Sequence, residues 1–109
     1  MTVRSPRSAL LGVDLVEIRK AKSLYQNCKR DLGSLVSREE AASIRRSRKP
    51  HERLAAILAA KEAVFKAQLR PDAGFLRFRD IRLKRRPHDW KLSFRKTKEY
   101  VIAQCVGTF

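Results

Sequence analysis

Two acids set in apolar surroundings are the residues of this 109-residue chain best suited to chemistry. Asp14 interrupts the most apolar strand-like run, Leu10-Leu11-Gly12-Val13-Asp14-Leu15-Val16-Glu17-Ile18. Glu62 stands between lysines in Ala59-Ala60-Lys61-Glu62-Ala63-Val64-Phe65-Lys66-Ala67. A carboxylate within a buried element is costly unless something compensates it, and a metal ion is a common compensator. Carboxylates accompanied by lysines point to a divalent cation bound together with a phosphate. Magnesium takes one or two carboxylates plus substrate phosphates and keeps several of its waters. Lysines beside it add point charges to a leaving phosphate. Asp14, Glu62, Lys61 and Lys66 have this chemistry in outline.

Each of these residues has a plainer reading. Glu62 and Lys66 are spaced i, i+4, with the glutamate N-terminal, as an ordinary helical ion pair prefers. They continue the row Leu54-Leu58, however, and so border the apolar stripe, and their alanine neighbours admit a backbone or a ligand at close range. An aspartate within a strand is disfavoured, and Gly12 on the same face leaves space beside it; the alternative is a strand-end cap of a neighbouring backbone. Glu17 pairs equally well with Arg19 or Lys20.

The elements that must position these residues follow from the pattern. Residues 9–18 read as a strand, apolar on both faces and thus suited to cover on both sides. Asp14 shares a face with Leu10, Gly12 and Val16, and Glu17 lies on the other. Residues 19–30 form a short basic helix with Ala21, Leu24, Tyr25 and Cys28 as its apolar side. Ser37-Arg38-Glu39-Glu40 is a capping box that starts a helix at about Arg38, ending in Arg45-Arg46-Ser47-Arg48-Lys49. Pro50 and Glu52 suit the first turn of a further helix, which runs to about Leu69 with Leu54, Leu58, Phe65 and Leu69 as its stripe. Pro71 and Gly74 end it. Residues 75–83, 90–94 and 99–106 alternate as strands, with a turn at Pro87-His88-Asp89. The expected fold is α+β: an N-terminal strand, helices including one long central helix, then an antiparallel C-terminal meander, in one domain spanning 1–109.

Composition narrows the partners. Twenty-six Lys+Arg against eleven Asp+Glu leave a net charge of +15, which attracts nucleic acid, anionic membranes, phosphate-rich ligands or acidic proteins. Cys28 and Cys105 are far apart and in no Cys-x-x-Cys pair, so neither zinc nor a disulfide framework is indicated, which fits a cytoplasmic setting. No stretch is long and apolar enough to span a membrane. Arg4 and Arg7 precede an apolar run that contains Asp14 and Glu17, unlike the core of a signal peptide.

Two blocks carry a family resemblance. Gly12-Val13-Asp14-Leu15-Val16-Glu17-Ile18 resembles the Gly-x-Asp-x-x-Glu-Ile motif of the holo-acyl-carrier-protein synthases. Residues 53–67, with Lys61-Glu62-Ala63-Val64-Phe65-Lys66, resemble their Lys-Glu-Ala-x-x-Lys helix. Segments 32–40, 78–81 and 97–103 are similar more loosely. The resemblance implies transfer of 4′-phosphopantetheine from coenzyme A to a serine of an apo acyl carrier protein, with Mg2+, in fatty acid or related biosynthesis. It implies Asp14 and Glu62 as magnesium ligands, Lys66 acting at the phosphate, and Lys61 and Arg53 near coenzyme A. It also implies a basic first helix, here Arg19, Lys20, Lys22 and Arg30, docking an acidic carrier protein, and a homotrimer with sites between subunits.

The chain departs from the family at several positions. Ile57 stands where an arginine is usual, and Gln68-Leu69-Arg70-Pro71-Asp72 replaces a Gly-Thr-Gly loop. Arg95-Lys96 replaces a Ser-His pair, and the hairpin around Arg85-Arg86-Pro87 is short and basic. The competing reading is therefore a basic binding module on the same fold, without catalysis. Arg77, Arg79, Arg82, Lys84, Arg85 and Arg86, interleaved with Phe75, Phe78 and Trp90, would serve an acidic protein or nucleic acid, but the favoured reading of that cluster is a solvated strand face with core aromatics behind it, and no nucleic-acid motif is visible. Acids retained in a phosphate-attracting site favour the enzyme.

Overall fold

The computed structural model describes residues 10–28, 30–67 and 89–108. Strand β1 (Leu10–Glu17) runs without a loop into helix α1 (Ile18–Cys28). A short 3-10 turn (Leu32–Ser34) leads to helix α2 (Arg38–Arg46), and then to helix α3 (Pro50–Ala67). Strands β2 (Asp89–Lys96) and β3 (Tyr100–Thr108) complete an antiparallel sheet of order β1-β3-β2. The α+β architecture with a long central helix is the expected one. The strand at 75–83, the loop 68–72, the Arg85-Arg86-Pro87 hairpin and the basic cluster from Arg77 to Arg86 lie outside the described residues.

Local signals account for the element ends. The Ser37 hydroxyl accepts from the Glu40 N–H at 3.2 Å, and the Ser37 N–H donates to Glu40 Oε1 at 2.8 Å, so the capping box forms in full. Arg45 and Arg46 close α2, where cations suit the negative helix end. Pro50 opens α3, its missing N–H costing nothing in the first turn. Between β2 and β3 the Thr97 hydroxyl accepts from the Glu99 and Tyr100 N–H groups, and the Thr97 N–H donates to the Tyr100 carbonyl at 2.9 Å. The Ile18 N–H donates to the Glu99 carbonyl at 2.8 Å, tying the exit of β1 to that turn.

Helix α3 lies on the sheet through its small residues. Ala59, Ala60, Ala63, Val64 and Ala67 pack with Ala103 and Cys105 of β3. The larger residues Leu54 and Ile57 point elsewhere, into a second cluster with Leu32, Val36, Ala41 and Ile44. The stripe expected from Leu54, Leu58 and Phe65 is thus only part of the buried surface: the alanines form the sheet-facing side. Small side chains on both layers allow a close approach, and Gly12 takes it furthest. A Cβ at Gly12 would lie 1.8 Å from the Ala63 carbonyl oxygen.

Among the described residues the sheet is covered on one face only. Gly12, Asp14 and Val16 share their face with Cys105, Ala103 and Val101, their register partners, beneath α3. On the opposite face Leu11, Val13 and Leu15 are 66%, 55% and 54% exposed. Their hydrophobic character had pointed to cover on both sides; within one chain that cover is absent among the described residues.

Candidate active site and its relatives

The close approach of β1 to α3 sets the site. Two residues beyond Gly12, Asp14 projects from the same face of β1, and Lys66 projects from α3 one turn after Glu62. Lys66 Nζ donates to Asp14 Oδ1 at 2.6 Å. The Asp14 side chain is 18% exposed and that of Lys66 47%, so the pair sits at the rim of the helix–sheet interface. The bond to Asp14, reinforced by its charge and further by that of Glu62, holds the Lys66 ammonium above the ordinary lysine range. Asp14 is therefore brought to the ammonium of Lys66 across 52 positions of sequence, with Glu62 one helical turn from that lysine.

This donor set fits magnesium in one specific way. Among the described residues no three His, Cys, Asp or Glu side chains gather to hold a metal on their own. Two carboxylates are what Mg2+ requires when substrate phosphates and water fill its remaining positions. Lys66 on Asp14 shows that the place already accepts a cation.

Lys61 meets a different geometry from the one expected. It is fully buried, and its ammonium pairs with Glu40 Oε1 at 2.9 Å, the same oxygen that caps α2. Helical spacing explains this: Lys61 is one residue before Glu62 and so projects about 100° away from it, toward α2. Its ammonium is thus held on α2, with no surface open to coenzyme A. Nothing in the isolated Lys-Glu dipeptide distinguishes the two directions; Glu40 in its capping box was the available signal. Removing one member of a buried pair strands the other. Lys61→Met should therefore lower unfolding free energy by about 2–3 kcal/mol in urea titrations. A change below about 0.5 kcal/mol would mean that the pair adds nothing beyond packing.

Arg53, by contrast, is exposed on α3. Its Nε donates to Ser43 Oγ at 2.9 Å, and it lines a cleft of about 440 Å³ with Ser47, Arg48, Lys49, Glu52, Ala56, Lys96 and Val101. Glu52 sits between Lys96 Nζ (2.5 Å) and Lys49 Nζ (3.7 Å), and its hydrogen bond from Lys96 is the main cause holding its carboxyl below the usual range. An ammonium-to-carboxylate bridge from Lys96 thus joins β2 to α3. Sequence reasoning had singled out neither Glu52 nor Lys96 as paired; a separation of 44 residues conceals such a contact. Ile57 is buried in the second cluster.

Arg19, Lys20, Lys22 and Arg30 are all exposed on or just beyond α1. Arg19 and Lys20 flank Glu17 at 3.8 and 3.4 Å, as the spacing allowed. Cys105 lies in the core, where burial raises its thiol to about 11 and keeps it inert. No described helix is long and apolar enough to cross a membrane.

Comparison with known proteins bears on the fold and the family. Among solved structures the chain is similar to apo-ACPS from Chronobacterium ammoiniagenes, with a TM-score of 0.73, 21% identity, and 94% of this chain and 98% of that one covered. It is also similar to holo-[acyl-carrier-protein] synthase from Neisseria meningitidis, with a TM-score of 0.70, 22% identity, and 89% and 95% covered. A third is holo-(acyl-carrier-protein) synthase from Bacillus anthracis str. Ames in complex with CoA (3′,5′-ADP), with a TM-score of 0.68, 22% identity, and 90% and 94% covered. A search of curated proteins finds no match. The model of the 4′-phosphopantetheinyl transferase superfamily matches residues 10–105, which takes in both acids, both lysines and every described element up to the middle of β3. The chain belongs to that superfamily and is a 4′-phosphopantetheinyl transferase.

Proposed function

We propose that this transferase moves 4′-phosphopantetheine from coenzyme A to a serine of an acidic apo acyl carrier protein, with Mg2+, in the cytoplasm. The observation that carries the reading is the meeting of Asp14, Glu62 and Lys66 across the β1–α3 contact. The serine oxygen attacks the phosphorus that bears pantetheine, the bond to the bridging pyrophosphate oxygen breaks, and 3′,5′-ADP leaves as the serine proton is lost. Magnesium, held by Asp14 and Glu62, would neutralise charge on the pyrophosphate during that displacement. Lys66 holds an ammonium at the leaving phosphate, and its donors fix the phosphate's orientation. Arg53 supplies a guanidinium at the mouth of the neighbouring cleft, suited to a further phosphate of coenzyme A. The buried Lys61 serves this arrangement from beneath, by joining α3 to α2.

Arg19, Lys20, Lys22 and Arg30 offer the carrier protein a basic surface whose attraction speeds encounter. A homotrimer is supported by the uncovered face of β1, because three neighbouring aliphatic side chains more than half exposed are better buried against further copies. The alternative of a catalytically silent basic module rests on the charge of +15.

The deciding experiment is intact-protein mass spectrometry of an apo acyl carrier protein incubated with this chain, coenzyme A and Mg2+. The expected result is a gain of one phosphopantetheine arm that disappears with chelator. No gain across several carrier proteins, with the chain folded and coenzyme A intact, would overturn the transferase reading in favour of the binding module.

A further inference from the structure

Lys66 stands where a metal ion would have to act. Its ammonium is 2.6 Å from Asp14 Oδ1, and Glu62 draws on the same ammonium from one helical turn away. The two acids assigned to magnesium are thus already neutralised in part by a covalently attached cation. The second oxygen of Asp14 gives no escape from this. A divalent ion bound there would share one carboxylate with the ammonium, and like charges within a few ångströms repel strongly.

We infer that Lys66 and the divalent cation compete for Asp14, and that the pyrophosphate of coenzyme A resolves the competition by drawing the Lys66 ammonium onto itself. The inference rests on the proposed metal role of Asp14 and Glu62. It assigns Lys66 two successive partners: a carboxylate before substrate arrives and a phosphate afterwards. The side chain can make that exchange because it is about half exposed, on a flexible four-carbon stem, at the rim of the interface. Metal binding is therefore weak in the free protein and tight in the coenzyme A complex. By linkage, metal must strengthen coenzyme A binding by the same factor. The device keeps the site from filling with cations while no phosphate is present to receive them.

Mn2+ serves as the probe, its free fraction followed by electron paramagnetic resonance, with coenzyme A–Mn2+ mixtures as blanks. Wild type, Lys66→Met and Asp14→Asn are titrated with and without coenzyme A, after circular dichroism confirms that each is folded. Without coenzyme A, Lys66→Met should bind Mn2+ on the order of tenfold more tightly than wild type, because the competing charge is gone. Coenzyme A should tighten Mn2+ binding to wild type about tenfold or more, and to Lys66→Met by much less. Equal Mn2+ affinities of wild type and Lys66→Met without coenzyme A would overturn the competition, while loss of binding in Asp14→Asn would leave the metal assignment standing. If Asp14→Asn binds Mn2+ like wild type in the presence of coenzyme A, the metal assignment itself falls, and the competition with it.

Discussion

Glu62→Gln should reduce phosphopantetheine transfer by about 10³-fold in kcat/KM while leaving the thermal midpoint within about 3 °C of wild type. The substitution keeps the shape of the side chain and removes one charge. If Glu62 is a magnesium ligand, it takes away half of the protein's anionic hold on the ion, worth several kcal/mol of transition-state stabilisation. Stability should barely change, because Glu62 is only part-buried and its interaction with Lys66 is a charge effect at an exposed ammonium. The measurement is the rate of carrier-protein modification at several Mg2+ concentrations. Partial rescue by high Mg2+ would reinforce the assignment. Retention of transfer within about threefold of wild type, with unchanged Mg2+ dependence, would remove Glu62 from the metal site. In the binding-module reading the same variant matters little: nucleic-acid binding would persist, weaken steeply with salt and ignore Mg2+.

Gly12→Val is the substitution with the largest expected effect on stability. A Cβ alone would stand 1.8 Å from the Ala63 carbonyl oxygen, 2.8 Å from the Ala63 carbonyl carbon and 3.0 Å from the Ala67 backbone nitrogen. None of these is a side-chain end that can turn aside. Valine's two methyl groups would add to the overlap, so β1 and α3 must separate along the layer of Ala59, Ala60, Ala63, Ala103 and Cys105. Loss of that packing should cost about 4 kcal/mol or more, seen as a fall of roughly 15 °C in midpoint or as failure to accumulate. Gly12→Ala should show a graded version of the same loss. Separation would also pull Asp14 away from Lys66, so residual folded Gly12→Ala should bind Mn2+ abnormally. A midpoint for Gly12→Val within about 3 °C of wild type would show that the close approach is not required.

Local chemistry was legible wherever the governing contact is short-range. The capping box at Ser37 and Glu40, the first-turn Pro50, the alternation that turns Gly12, Asp14 and Val16 to one side, and the pairing of Glu17 with its basic neighbours all appear where spacing put them. The acids at 14 and 62 stood out because a charge inside an apolar or alanine-rich run demands a partner. Alanine-rich helices mislead on facing, however. The residues against the sheet are the smallest ones, and large side chains such as Leu54 dominate any pattern read by hydrophobic weight.

By itself, then, the sequence determined the element types and singled out the two carboxylates, since propensity, capping and the cost of buried charge act within a few residues. Tertiary structure decided the partners. Only the glycine-to-backbone contact between β1 and α3 brings Asp14 to Lys66 across 52 positions, and only the position of α2 turns Lys61 inward to Glu40 while Glu62 stays at the rim. It also decided that Leu11, Val13 and Leu15 remain uncovered within one chain, because α3 can lie on one face of the sheet and no described element lies on the other. Such pairings depend on how closely two layers approach, and that distance is set by side-chain volumes summed across the whole interface.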